Sequence, residues 1–128
     1  MKAILLDTNA VSAFFKGDRH VLTCVSNAER VYLSTIVLGE LLAGFRLGNQ
    51  FERNRAILAS FMACSNVEPL PVTTESADYY GRLFLELRKK GKPIPVNDLW
   101  IVAQTMECGA VLITFDRHFQ DIPGLRVG

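Results

Sequence analysis

Two short, uninterrupted apolar runs bracket the chain. Ala3 to Leu6 lies near its start and Ala110 to Ile113 near its end, and each leads into a polar stretch with an aspartate, Asp7 and Asp116. A strand that is apolar at every position, rather than at alternate ones, buries both faces, as strands do in parallel sheets covered by helices on both sides. The segments between the runs fit that architecture. Helical pattern covers Ala10 to Phe15 (closed by Gly17), Arg19 to Ala28, Thr35 to Ala43 (stopped by Gly44), Gln50 to Ala63 and Thr73 to Lys90 (stopped by Gly91). A last helix is expected over Asp98 to Glu107, capped by Asn97 and ended before Gly109. Val31 to Leu33 and Val67 to Leu70 read as further strands. Strands separated by helices specify an α/β fold with a parallel sheet between helical layers. Periodicity alone leaves the strand order open.

Composition narrows the function classes. With 128 residues the chain has room for one domain, expected over 1–128. Fourteen Lys plus Arg against thirteen Asp plus Glu give a net charge of +1, so any grip on nucleic acid must come from a local patch. The longest stretch without a charged side chain, Ala56 to Val67, is too short to span a bilayer, and Asp7 cuts off the apolar start before it could serve as a secretory signal. Cys24, Cys64 and Cys108 form no short-spaced pair, and their odd number argues for a reducing compartment. A cytoplasmic protein with no membrane partner is therefore expected.

The acidic residues carry the functional signal. Asp7 and Asp116 follow apolar strands, and the carboxyl ends of parallel strands border the ligand crevice of open α/β sheets. Each also fits an ordinary turn-forming aspartate. Glu40 sits among Ile36, Val37, Leu38, Leu41 and Leu42 with no Lys or Arg within one helical turn. Its carboxylate is expected to face the interior, where it must be paired, neutralised or metal-bound. Asp98 falls in the first turn of its helix, after the stiff Pro93-Ile94-Pro95 entry. The positive helix end there favours the ionised form. Several ionised acids in one place repel one another unless a divalent cation neutralises them. Oxygen donors suit Mg²⁺ or Mn²⁺, and a phosphodiester is the natural further ligand. His20 and His118 lack the short-spaced Cys or His partners of a zinc site, and neither a nucleophile elbow nor a glycine-rich phosphate loop is present.

Taken in order, Asp7-Thr8-Asn9, Ile36-Val37-Leu38-Gly39-Glu40-Leu41, Asn97-Asp98-Leu99-Trp100-Ile101-Val102-Ala103 and Thr114-Phe115-Asp116 with Phe119 resemble the PIN-domain family, as does the closing Pro123-Gly124-Leu125. The resemblance spans nearly the whole chain and is strongest to the short VapC-type toxins of prokaryotic toxin–antitoxin pairs. It implies a three-layer PIN-like fold and a Mg²⁺- or Mn²⁺-dependent endoribonuclease. Asp7, Glu40 and Asp98 would form the acidic core, with Asp7 and Asp98 on the metal. Asp116 matches a fourth acidic position that is often replaced in relatives. Thr8, Asn9, Asn97 and Thr114 would orient carboxylates or water. The resemblance further implies an RNA substrate, a homodimer and a small protein antitoxin whose tail crosses the site.

Arg88, Lys89, Lys90 and Lys92 lead into the prolines before Asp98 and are expected either as a solvated helix end or as a basic rim for RNA phosphates. Two rival readings stand beside the nuclease. A PIN fold could serve as an RNA-binding module without catalysis, although all four acids are present. A Mg²⁺-binding receiver-type signalling domain would need a phospho-accepting Asp after a mid-chain strand and a Lys after the last core strand. No Asp lies between Asp18 and Asp78, and Asp116 is flanked by Phe115 and Arg117.

Overall fold

The computed structural model describes residues 2–128. Strand β1 (Ala3–Leu6) is followed by helices α1 (Thr8–Phe15) and α2 (Arg19–Asn27), then by β2 (Arg30–Ser34). Helices α3 (Thr35–Leu47) and α4 (Phe51–Met62) lead to β3 (Val67–Leu70), and α5 (Thr74–Lys89) and α6 (Val96–Glu107) to β4 (Val111–Ile113). A short 3₁₀ turn, Arg117–Asp121, follows β4.

The four strands form one all-parallel sheet in the order β3-β2-β1-β4. In β1 the successive residues Ile4, Leu5 and Leu6 are all at 0% exposure. Their side chains alternate between the two faces, so helices cover both. Val31, Leu33, Leu112 and Ile113 continue this core across the sheet, and Val11, Val37, Leu41, Leu83, Leu87, Leu99 and Val102 close it from the helices. β3 lies at an edge, where its Pro69 removes no interior ladder bond. Tyr80 of α5 and Trp100 of α6 pack with ring centroids 4.1 Å apart, joining the two helices.

The chain lays down β1, β2 and β3 outward in one direction, then returns to place β4 on the other side of β1. The order therefore reverses between β1 and β4, and the crevice of an open parallel sheet opens at the carboxyl ends of such a pair. Leu6 is in register with Ile113, and the Asp7 amide donates to the Ile113 carbonyl at 3.3 Å. Asp7 and Thr114 thus emerge side by side at the crevice.

Two sequence expectations about helix ends are corrected. α3 does not stop at Gly44 but runs to Leu47 with Gly48 at its C-cap, because half-buried Phe45 packs against the core and holds the last turn in place. Gly91 and Gly109, by contrast, do stand just past helix ends with φ of +68° and +64°, a conformation other residues avoid. α6 begins at Val96 with Pro95 at its N-cap, so Asn97 lies within the first turn instead of capping it. The extended backbone of Pro95 sets the helix entry without any side-chain cap. Among the described residues no helix is long and apolar enough to cross a membrane, and Cys24, Cys64 and Cys108 are unpaired.

Candidate active site

Asp7 is the residue on which the crevice is built. It is the N-cap of α1, and its Oδ1 accepts from the Ala10 amide at 2.8 Å. Its Oδ2 accepts from the Thr114 hydroxyl, which follows β4. Thr114 Oγ1 in turn accepts from the Asp116 amide at 3.0 Å. Asp116 caps the 3₁₀ turn, with its Oδ1 accepting from the His118 amide at 2.9 Å and lying 2.9 Å from His118 Nδ1. Both aspartates therefore are turn-forming residues and border the crevice; the two readings offered by the sequence hold together.

Glu40 reaches the same place from α3. Thr8 donates to its Oε1 at 2.6 Å, and Asn97 Nδ2 donates to its Oε2 at 3.5 Å. The expectation that Glu40 faces the interior is corrected: it is half-buried at the margin of the core. Val37 and Leu41 take the inward stripe of α3, while Gly39, Ala43 and Gly44 are exposed. Ile36, Leu38 and Leu42 are only half-buried, so apolar neighbours in sequence do not carry Glu40 into the interior. Asp98, in the first turn of α6, is half-buried, and its carboxylate takes no hydrogen bond from the described residues.

Asp7, Thr8, Asn9, Glu40, Asp98 and Asp116 line one cleft of about 220 Å³, floored by Ile101 and Phe119. The carboxylates feel one another. Burial pushes Asp7 above its ordinary value of 3.8; the Thr114 and Ala10 bonds pull it back, and the charges of Asp116 and Glu40 add to the rise. Asp98 is raised first by burial and then by Asp116, Glu40 and Asp7, which outweighs the helix-end preference for the ionised form expected from the sequence. Four carboxyl groups line the cleft, with no Lys, Arg or His among its lining residues.

The basic run is divided. Lys90 and Lys92 line a larger cleft of about 510 Å³ that shares Asp98, Asp116 and Phe119 with the acidic one. Arg88 turns away and lies over the Phe84 ring at 6.0 Å, and Lys89 lines neither cleft. His118, which the sequence excludes only as a zinc ligand, is exposed, borders the larger cleft and lies against Asp116. Its spacing two residues after Asp116 was the available signal. Also unforeseen was a buried polar tie. Ser34, the N-cap of α3, donates to Gln104 Oε1 of α6, and Gln104 Nε2 donates to the Leu70 carbonyl at 3.1 Å. That tie joins the helices that carry Glu40 and Asp98.

The chain resembles known proteins over nearly its whole length. The PIN domain family model matches residues 4–125. The chain is 32% identical over 130 residues to the tRNA(fMet)-specific endonuclease VapC of Salmonella typhimurium, covering 99% of this chain and 97% of that one. It is 32% identical to ribonuclease VapC2 of Haemophilus influenzae, covering 98% and 96%. Among solved structures, DNA-bound VapBC from Salmonella typhimurium superposes with a TM-score of 0.87 at 31% identity, covering 100% of this chain and 98% of that one. VapBC2 from Rickettsia felis, bound to a DNA fragment from its promoter, gives 0.86 at 30%, covering 98% and 97%. The match extends over nearly the whole chain in both sequence and fold, and the chain belongs to the PIN-domain family.

Proposed function

We propose that this chain is a metal-dependent endoribonuclease, the toxin of a toxin–antitoxin pair. It hydrolyses RNA phosphodiester bonds at the four-carboxylate cleft and is held in check by a protein antitoxin. The observation that carries the reading is the convergence of Asp7, Glu40, Asp98 and Asp116 on one cleft. Burial first, and the neighbouring acids after it, raise Asp7 and Asp98, and a bound cation would favour their ionised forms. The relatives named VapC are ribonucleases, and the similar structures are VapBC assemblies. RNA, a protein antitoxin and a second copy of the chain are the corresponding partners, and the cytoplasm the corresponding compartment.

The donor set suits Mg²⁺, with Mn²⁺ as the near substitute. It is all oxygen, and it is open: among the described residues no three acidic, His or Cys side chains form a group that could hold one ion together. A tetrahedral zinc site needs such a set, whereas Mg²⁺ is commonly held through one or two carboxylates plus waters and substrate phosphate. Asp7 and Asp98 are the residues that would hold it. Bound there, a hard divalent cation supplies charge for the phosphate oxygens and acidifies a water.

The chain's own groups do the rest. Ala10 N and Thr114 Oγ1 lock both oxygens of Asp7 in orientation. Thr8 and Asn97 fix the Glu40 carboxylate, which orients the attacking water and takes its proton. Asn9 lines the cleft beside them. Asp116 adds a further carboxylate to the cleft, and Lys90 and Lys92 hold the flanking phosphates.

The test is cleavage of RNA by antitoxin-free protein. Activity in Mg²⁺ or Mn²⁺ should vanish in EDTA, return when metal is restored, and fall at least about 100-fold in Asp98→Asn. Unchanged cleavage in EDTA would overturn the mechanism.

A further inference from the structure

The larger cleft is chemically unlike the acidic one it joins. Its floor is apolar, made by Ile94, Phe119 and Ile122, with Phe119 and Ile122 at 3% and 5% exposure. Lys90, Lys92 and His118 line the cleft together with Asp98, Asp116 and Asp121, so lysines stand here among the carboxylates. Lys90 lies 3.7 Å from Glu86, whereas Lys92 has no carboxylate partner among the described residues. At about 510 Å³ it falls within the roughly 300–1,000 Å³ range of ligand pockets.

A bare phosphate site needs no greasy floor, and a simple packing defect needs no lysines at its mouth. A nucleotide uses both: an apolar surface for the base and positive charge for the phosphate beside it. The shared walls, Asp98 and Asp116, put this cleft directly next to the place where the scissile phosphate would lie. An RNA strand crossing from one cleft to the other carries a base into the second one. That base must be unpaired, because a base stacked and paired in a duplex presents no free face.

Resting on the nuclease reading, we infer that the cleft between the Lys90–Pro95 segment and the 3₁₀ turn is a nucleobase subsite. It takes one unpaired nucleotide adjacent to the cut. Ile94 contacts the base, and Lys92, with Lys90 and His118, contacts its phosphates. The subsite determines which nucleotide may flank the cleaved bond.

Binding in EDTA tests this separately from cleavage. The probes are a labelled mixed-sequence RNA dodecamer, its duplex with the complementary strand, and an abasic ribose–phosphate chain of the same length. Wild type should bind the single strand about tenfold more tightly than either other probe. Ile94→Ala should bring the single strand down to the abasic affinity while leaving the abasic affinity alone. Ile94→Trp, which fills the cleft, should do the same and covers the case in which the smaller residue perturbs the loop. Lys92→Ala should weaken single strand and abasic chain by one common factor and lower the slope of log affinity against log salt by about 0.7. Equal wild-type affinity for single strand and abasic chain overturns the subsite, as does full discrimination in both Ile94 variants. So does an effect of Ile94→Ala confined to antitoxin inhibition, which would make the cleft a protein-binding groove. If wild type discriminates between the probes yet cuts no RNA in Mg²⁺, the nuclease reading fails and the cleft remains a base-binding site with no cut beside it.

Discussion

At the scale of single residues, the aspartates at the crevice each work twice. Asp7 spends one oxygen on starting α1 and the other on Thr114, so the bonds that fold the chain locally also aim the carboxylate. Thr114→Val should therefore leave a folded protein, less stable by about 1 kcal/mol, whose cleavage falls roughly 10- to 100-fold. Thermal unfolding and RNA cleavage measured together check it; full activity would remove Thr114 from the orienting role. Asp98 has no such bonds. Its pKa is raised above 3.8 by burial first and by Asp116, Glu40 and Asp7 after it. In metal-free protein its contribution to stability is thus fully present below 3.8 and is lost as pH rises through the raised value. Asp98→Asn cannot ionise. In EDTA it should be more stable than wild type at pH 7, and the difference should shrink to nothing as pH falls below 3.8. Unfolding midpoints across that range test this, and a variant no more stable than wild type at pH 7 would contradict the raised pKa.

Helices and strands were largely legible from residue pattern, with errors where glycine and proline were read too simply. Glycines stop α5 and α6 because the chain there needs positive φ, but Gly44 sits in continuing helix with nothing within 4 Å of where a Cβ would lie. Tertiary packing of Phe45 outweighs the local preference of glycine. Gly44→Ala should accordingly stabilise the protein by about 0.5–1 kcal/mol, read as a higher urea midpoint with an unchanged m-value. A loss of stability would mean that this exposed face of α3 is covered in the assembled protein. Asn97 shows the complementary error. Its residue type suits a cap, yet Pro95 already sets the entry to α6, which leaves the Asn97 amide free to reach Glu40.

On the scale of the whole molecule, the site exists only because four distant segments meet. Anything that binds the folded cleft and not the unfolded chain should stabilise the fold by mass action, about 2.7 kcal/mol at a ligand concentration 100 times its Kd. Excess Mn²⁺ should raise the unfolding temperature of wild type above its value in EDTA. Asp98→Asn, which removes one of the two carboxylates proposed to hold the ion, should gain much less from Mn²⁺, and Glu40→Gln should lose cleavage. An Asp98→Asn protein that gains as much as wild type would place Asp98 off the metal, and a Glu40→Gln protein that still cuts RNA would place Glu40 outside the site. By itself, the sequence determined the α/β class, the rough extents of the helices and strands, and the identity of the four acids. Those follow from interactions between near neighbours: apolar runs, helix ends and turn-forming aspartates. The resemblance to the PIN-domain family came from the order of those motifs. Only the tertiary structure decided that β4 returns beside β1, which places Thr114 on Asp7 across 107 positions. It alone separated Lys90 and Lys92 from Arg88, and it alone set Glu40 at the margin instead of in the interior. Strand order and side-chain partners depend on contacts between residues far apart in the chain, and local pattern carries no record of them.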